Sequence, residues 1–319
     1  MKNYQRDNIK KIKPVSVHGG HSGQFCNHAQ NTLEEIILQY IESGFEWIGI
    51  TEHIYPISNE LRYPDEAVAG IDVSFLAKRF TEYMKTCRKL QEKYQDSITI
   101  FTAFETETYS EYKKFIPSLI QQFRPDYVVG SVHHLPVHNL PVNRKSIHNE
   151  HNNCVDVCID YSKEYYDVAA DALGGVENLY CRYFDVQYEM IEAIEPSVVG
   201  HFDLIRIFDE DYLERIKNPL IWQRITRNLE LIKKKNLIMD FNLRALMKGA
   251  KEPYISAPIL AEAKKMNISV VIGDDSHGVK DIGVNIEKGI DILRMAGFNT
   301  DWQIPKVLIA LTYRKREFK

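Results

Sequence analysis

The chain carries eleven histidines, and many of them stand beside carboxylates just after short apolar runs. His18, His21 and His28 follow residues 15–17, and Thr51-Glu52-His53 follows residues 47–50. Glu105 comes after residues 98–102, and His133 and His134 after residues 127–130. His201 and Asp203 follow residues 196–200, and Asp274-Asp275-Ser276-His277 follows residues 268–272. Neutral imidazole and carboxylate, without thiolate, is the donor mixture of zinc, iron or manganese centres that hydrolyse bonds, not of closed structural sites. A single histidine after a strand is more often a surface or hydrogen-bonded group. What calls for one shared site is the recurrence at six strand ends. Glu52, Asp203 and Asp274 read as partners that orient ligands. His134, His138, His148 and His151 read as solvated or loop residues, and Cys26 as a small packed side chain.

The apolar runs that precede these residues have strand length, and amphipathic stretches separate them. Thr32-Leu33-Glu34-Glu35 has the form of a capping box and opens a helix that Gly44 stops. A helix is expected over residues 73–94, and another from Ser256-Ala257-Pro258, a cap with a first-turn proline, to about residue 265. A last strand is expected at residues 306–309, and a long irregular loop over residues 135–153. Strand–helix repetition predicts an α/β fold with a parallel sheet. A barrel fits better than an open sheet, because in a barrel all C-terminal strand ends meet at one mouth.

With 319 residues, 26% charged, a net charge of -4 and a pI near 6.3, the chain has an ordinary globular composition and lacks a general nucleic-acid footprint. No long nucleic acid is expected as partner. The basic run at residues 313–319 reads as a solvated tail. Five scattered cysteines argue against a disulfide framework and for a reducing compartment. The lysine-rich first 13 residues have no apolar run behind them, and no run approaches the ~18 residues of a membrane span. A cytoplasmic protein is expected, folded as one domain over residues 1–319 with its core at about residues 14–312.

At these residues the sequence resembles the PHP (polymerase and histidinol phosphatase) superfamily, and within it the histidinol-phosphatase branch. The segments that carry the resemblance are His18-Gly-Gly-His21-Ser-Gly-Gln-Phe-Cys-Asn-His28, Thr51-Glu52-His53, Phe104-Glu105, Gly130-Ser131-Val132-His133, Gly200-His201-Phe202-Asp203 and Asp275-Ser276-His277. Glu52-His53-Ile54-Tyr55-Pro56, the Tyr63-Pro64 pair and Glu252-Pro253-Tyr254 are similar to the longer, fungal-type members. The resemblance implies a distorted seven-stranded (β/α)7 TIM-like barrel and three divalent ions at the C-terminal strand ends. His18, His21, Glu105 and Asp275 would hold one ion, and His28, His53 and His277 a second. Glu105, His133 and His201 would hold the third, with Glu105 bridging. Two departures stand out. Two glycines separate His18 from His21 where the family usually has one residue, and the family's arginine after the strand near Asn242 is missing.

The resemblance further implies hydrolysis of a small phosphomonoester, with L-histidinol phosphate the favoured substrate. Glu105 and Asp275 are expected in the catalytic centre, with Asp203 or Asp274 relaying a proton to the leaving oxygen. Arg206, Arg244 and Lys248 are the candidates for gripping phosphate oxygens, and Glu60, Asp65 and Glu66, with the 135–153 loop, for an outer patch. Two alternatives stay open: a related phosphoesterase acting on another small ester or a short oligonucleotide, and an inactive metal-binding module. Oligomeric state is not read from the sequence.

Overall fold

The computed structural model describes residues 12–109, 111–138 and 154–307. Ten strands occur among them: β1 (Val15–Ser16), β2 (Trp47–Ile50), β3 (Thr99–Thr102), β4 (Phe104–Glu105), β5 (Val128–Gly130), β6 (His134–His138), β7 (Cys154–Cys158), β8 (Val198–Val199), β9 (Ile238–Asn242) and β10 (Ser269–Gly273). Strands β1-β2-β3 form one parallel sheet and β10-β9-β8-β5-β4 a second. The sheets touch at both edges. Val17 N–H donates to Ile272 O at 2.8 Å beyond the ends of β1, and Glu105 N–H donates to Glu52 O at 3.0 Å beside the His53–Glu105 bridge. The interruption between β3 and β4 falls at Ala103, whose carbonyl accepts the Tyr83 hydroxyl at 2.5 Å while its N–H reaches Ile50 O.

An inner apolar cluster takes Val15, Trp47, Ala103, Val129, Val198, Ile238 and Val271, from both sheets. A larger cluster packs the outward strand faces against the helices. The helix Leu33–Glu42 starts as expected. Thr32 Oγ1 accepts from Glu35 N, and Glu35 Oε2 accepts from Thr32 N at 2.7 Å, so two orphan donors are satisfied reciprocally. Val73–Lys93 and Ala257–Lys265 also match their expected spans. The long helices Val176–Ile194 and Pro219–Lys235 pack on each other.

Two expectations need correction. Residues 135–138 do not belong to a loop: with His134, which is buried and not solvated, they pair antiparallel with β7 as a hairpin. Leu135, Val137 and Val157 are fully buried on the core side of the pair, while Pro136 and His138 keep part of β6 open to solvent. Residues 139–153, with His148 and His151, lie outside the described residues. At the C-terminal end, Lys306 and Val307 are not in a strand, and residues 308 and 309 lie outside the described residues. Among the described residues no helix is long and apolar enough to cross a membrane.

Candidate metal centre

Parallel strands place their C-terminal ends on one side, and the histidines and carboxylates of the sequence patterns converge there. Glu105 ends β4, fully buried, with its two oxygens at the middle of the group. Oε1 lies 2.9 Å from His201 Nε2 and 3.5 Å from His133 Nε2. Oε2 lies 3.3 Å from His18 Nε2, 3.2 Å from His53 Nδ1 and 3.9 Å from His21 Nε2. Asp275 Oδ1 is 3.3 Å from His21 Nε2 and 3.7 Å from His277 Nδ1. The His28 ring stacks on His277 at 5.1 Å and tilts on His53 at 5.5 Å. All nine residues singled out as ligands, His18, His21, His28, His53, Glu105, His133, His201, Asp275 and His277, thus form one connected set.

Backbone geometry explains how the unusual His18–His21 spacing reaches this point. A Cβ on Gly19 would stand 2.1 Å from Gly49 O, so the chain can press onto β2 only without a side chain there. That close approach turns His18 inward, fully buried, with Nδ1 2.8 Å from Asp240 Oδ2. Asp275 sits at φ +45°, a left-handed conformation uncommon outside glycine, and its N–H donates to His18 O at 2.9 Å.

Behind the inward-facing atoms stands a ring of carboxylates. Asp240 faces His18, and Glu52, whose Oε1 accepts from Ser22 N and Oγ, faces His21 Nδ1 at 3.6 Å. Glu107 faces His53, His133 and His134. Sequence reasoning named Glu52 and missed Glu107 and Asp240. Their signals were present: a second glutamate two residues after Glu105, and one aspartate inside the apolar run 237–241.

The electrostatics follow from burial among these carboxylates and imidazoles. Burial pulls the His21 imidazole down, but the adjacent carboxylates of Asp275 and Glu52 outweigh it and raise the group to about 9. His133 is pushed up to about 10, burial being outweighed by Glu107 and Glu105. Burial and the neighbouring His53 and His21 lower His28 to about 3. Burial opposes ionisation of Glu105, yet His18, His53 and His133 hold it well below the usual carboxylate range.

The donor set fits divalent cations. Among the described residues, His18 Nε2 and both nitrogens of His21 are buried without a hydrogen-bond partner, a costly arrangement unless something else satisfies them. Three triads, His18–His21–Glu105, His18–His201–Asp275 and His21–His53–His277, each bring their ligand atoms within 4.8 Å of one another.

Over this floor opens a cavity of about 360 Å³. Its lining includes the cations Arg244 and Lys248, the carboxylates Asp65 and Asp160, and the rings of Tyr63, Tyr161 and Tyr254. Arg206 and Asp203 do not line it, contrary to expectation. The Arg206 guanidinium is buried, donates to Glu252 O and Pro253 O at 3.0 and 2.6 Å, and lies between the rings of Tyr212 and Tyr254. Both Asp203 oxygens accept backbone N–H groups, from Ile255 and Ser256, and hold Ile255 at φ +77°. Asp274 is likewise turned away, accepting from Ser16 and Tyr40. Glu66 pairs with Arg79, and of the three outer carboxylates expected only Asp65 reaches the cavity; Asp160 was not foreseen.

A parallel α/β scaffold with an imidazole–carboxylate cluster at its C-terminal strand ends defines a class of metal-dependent hydrolase centre. Comparison with known proteins narrows the class. The PHP domain family model matches residues 20–244. The chain is 34% identical over 297 residues to a probable histidinol-phosphatase of Schizosaccharomyces pombe, covering 92% of this chain and 90% of that one. Among solved structures it is similar to the putative histidinol phosphatase of Listeria monocytogenes, with a TM-score of 0.73, 25% identity, and coverage of 86% and 99%. The histidinol phosphate phosphatase of Lactococcus lactis, solved with zinc, L-histidinol and phosphate, shares the fold at a TM-score of 0.63, with 18% identity and coverage of 90% and 95%. The chain belongs to the PHP family, in its histidinol-phosphatase branch.

Proposed function

We propose that this protein is a phosphomonoesterase that hydrolyses L-histidinol phosphate to L-histidinol and phosphate, using three divalent ions of zinc, iron or manganese. The observation that carries the reading is the convergence of five imidazoles on the two Glu105 oxygens beneath a cavity lined by both cationic and anionic side chains. The relatives named above carry that activity in their names, and the Lactococcus lactis structure holds zinc, L-histidinol and phosphate together.

His18, His21, Glu105 and Asp275 are the residues for one ion, His28, His53 and His277 for the second, and His133 and His201, again with Glu105, for the third. When bound, such ions supply a water acidic enough to ionise near neutral pH and neutralise the phosphoryl oxygens. The chain's own residues do the rest. Glu105 places one buried negative charge among all three groups. Arg244, whose Nη1 is held by Asp281 at 2.8 Å, and the exposed Lys248 take the outer phosphate oxygens. Asp65 and Asp160 face the amine end of the substrate, and the tyrosines exclude water from the space between.

The two sheets are read as one distorted seven-stranded barrel, β3 and β4 counting as a single strand. The edge hydrogen bonds and the inner cluster fed from both sheets support it. A single domain in the reducing cytoplasm accords with the free thiols of Cys26, Cys87, Cys158 and Cys181.

The test is a steady-state comparison on metal-loaded enzyme. kcat/KM should be at least about 10²-fold higher for histidinol phosphate than for an aryl phosphate, a gap of roughly 3 kcal/mol in transition-state binding. Chelation should abolish both activities. Equal efficiency on the two esters removes the substrate assignment, and activity that survives chelation removes the metal centre.

A further inference from the structure

One buried carboxylate behind the centre has more hydrogen-bond partners than any ligand in it. Glu107, fully buried, lies two residues beyond Glu105. Its Oε1 faces the Tyr63 hydroxyl at 2.6 Å and His53 Nδ1 at 3.2 Å. Its Oε2 faces His133 Nδ1 at 2.9 Å and His134 Nδ1 at 3.1 Å. An ionised carboxylate has about four acceptor positions and no donor. Four donors fill them, so Glu107 has no lone pair left for a cation, although His53, Glu107 and His133 lie close enough to pass for a metal triad.

We propose that Glu107 is a positioning residue that serves two metal groups at once, fixing His53 for one ion and His133 for another, and tying the cavity wall at Tyr63 to both. The assignment rests on the metal reading above. Because the carboxylate can only accept, each facing Nδ1 must carry the proton, which leaves Nε2 as the ligand atom of both rings. His133 Nε2 indeed turns inward, 3.1 Å from His201 Nε2 and 3.5 Å from Glu105 Oε1. His53 Nδ1 is as near to Glu105 as to Glu107, but only toward Glu107 is the geometry that of a hydrogen bond. The first group has its own supports, Asp240 for His18 and Glu52 for His21. Tyr63 lines the cavity and packs against His28, His53 and His134, and His134 begins the hairpin whose far end leads to Asp160.

The division of labour predicts which ions each substitution loosens. The experiment titrates chelator-buffered zinc into metal-free full-length protein and counts bound ions, for the wild type, Glu107→Gln, Asp240→Asn and Tyr63→Phe. An orienting partner of a ligating histidine is worth about 10–100-fold in metal affinity. Glu107→Gln should therefore weaken two of the three ions by that factor and spare the third. Asp240→Asn should weaken one, and Tyr63→Phe should leave metal affinity within about threefold while raising KM. In zinc-loaded wild type with ¹⁵N-labelled histidine, His53 and His133 should show protonated Nδ1. Uniform weakening of all ions by Glu107→Gln, no weakening, or protons on Nε2 of His53 and His133 would overturn the assignment alone. Absence of zinc binding by the wild type would overturn the metal reading with it. If Glu107→Gln does not fold, the wild-type nitrogen spectrum decides.

Discussion

Five imidazoles compete for two oxygens at Glu105, and a carboxylate so placed is more useful as a shared negative charge than as a base. Replacing it with an amide keeps the shape and removes the charge. Glu105→Gln should lower kcat by about 10³-fold or more, a loss of several kcal/mol of charge stabilisation, with bound metal reduced in parallel; elemental analysis beside single-turnover kinetics checks both. The opposite pattern is expected of the pair that proved to stand behind the cavity wall. Arg206 and Asp203 are buried together, Nε to Oδ2 at 3.3 Å, and removing one partner of such a pair strands the other. Arg206→Leu should cost about 3–5 kcal/mol in urea unfolding, with metal content unchanged in the folded fraction. Lys248→Ala, at an exposed side chain on the cavity rim, should raise KM without moving the unfolding midpoint. If Arg206→Leu raised KM at unchanged stability, Arg206 would belong to the phosphate clamp after all.

The elements show which information was local and which was not. Every parallel strand that leads to a candidate ligand was legible as an apolar run with a histidine or carboxylate after it, because strand and candidate are neighbours in the chain. The hairpin β6-β7 was hidden: histidines and a proline break the look of its first strand, and its second lies some twenty residues on, so pairing is not a property of either segment. The fate of Arg206 was equally unreadable. Following His201 by five residues, it could have faced the cavity; only packing against Tyr212 and Tyr254 turns it away. The paired glycines were visible, but their reason was not. Gly19 and Gly49 are thirty residues apart, and the 2.1 Å approach of a Cβ on one to the carbonyl of the other exists only once β1 lies on β2. Gly19→Ala should thus force the two strands apart, lowering stability by about 1–3 kcal/mol as overpacking does and reducing bound metal through His18. Calorimetry with metal analysis tests this, and an alanine variant with wild-type stability and metal content would show that the strands can yield at no cost.

For the molecule as a whole, the centre couples folding to both protons and metal. In metal-free protein His18, His21 and His133 are raised, the last two to about 9 and 10, because Glu105 and Asp275 together with Asp240, Glu52 and Glu107 outweigh burial. A histidine raised above its unfolded value of about 6.5 contributes stability that is complete below that pH and is lost as pH climbs through the folded value. His28 and His277 are lowered, by burial first and by neighbouring imidazoles second. The unfolded chain takes up those two protons below about 6.5 and the folded one does not, so stability also falls toward acid. Metal-free protein should therefore be most stable near pH 6.5, with thermal midpoints declining on both sides. Bound ions change the alkaline limb. Metal occupies nitrogens that protons would otherwise hold, its binding releases those protons, and its apparent affinity rises with pH. Ligation of the folded state alone adds RT ln(1 + [L]/Kd) to stability, so the gap in midpoint between zinc-loaded and metal-free protein should widen from pH 6.5 to 9. Scanning calorimetry across that range, at fixed free zinc and with chelator, measures the gap directly. A metal-free midpoint that stays level or rises between pH 6.5 and 9 would mean that the imidazoles of the centre do not hold the protons assigned to them.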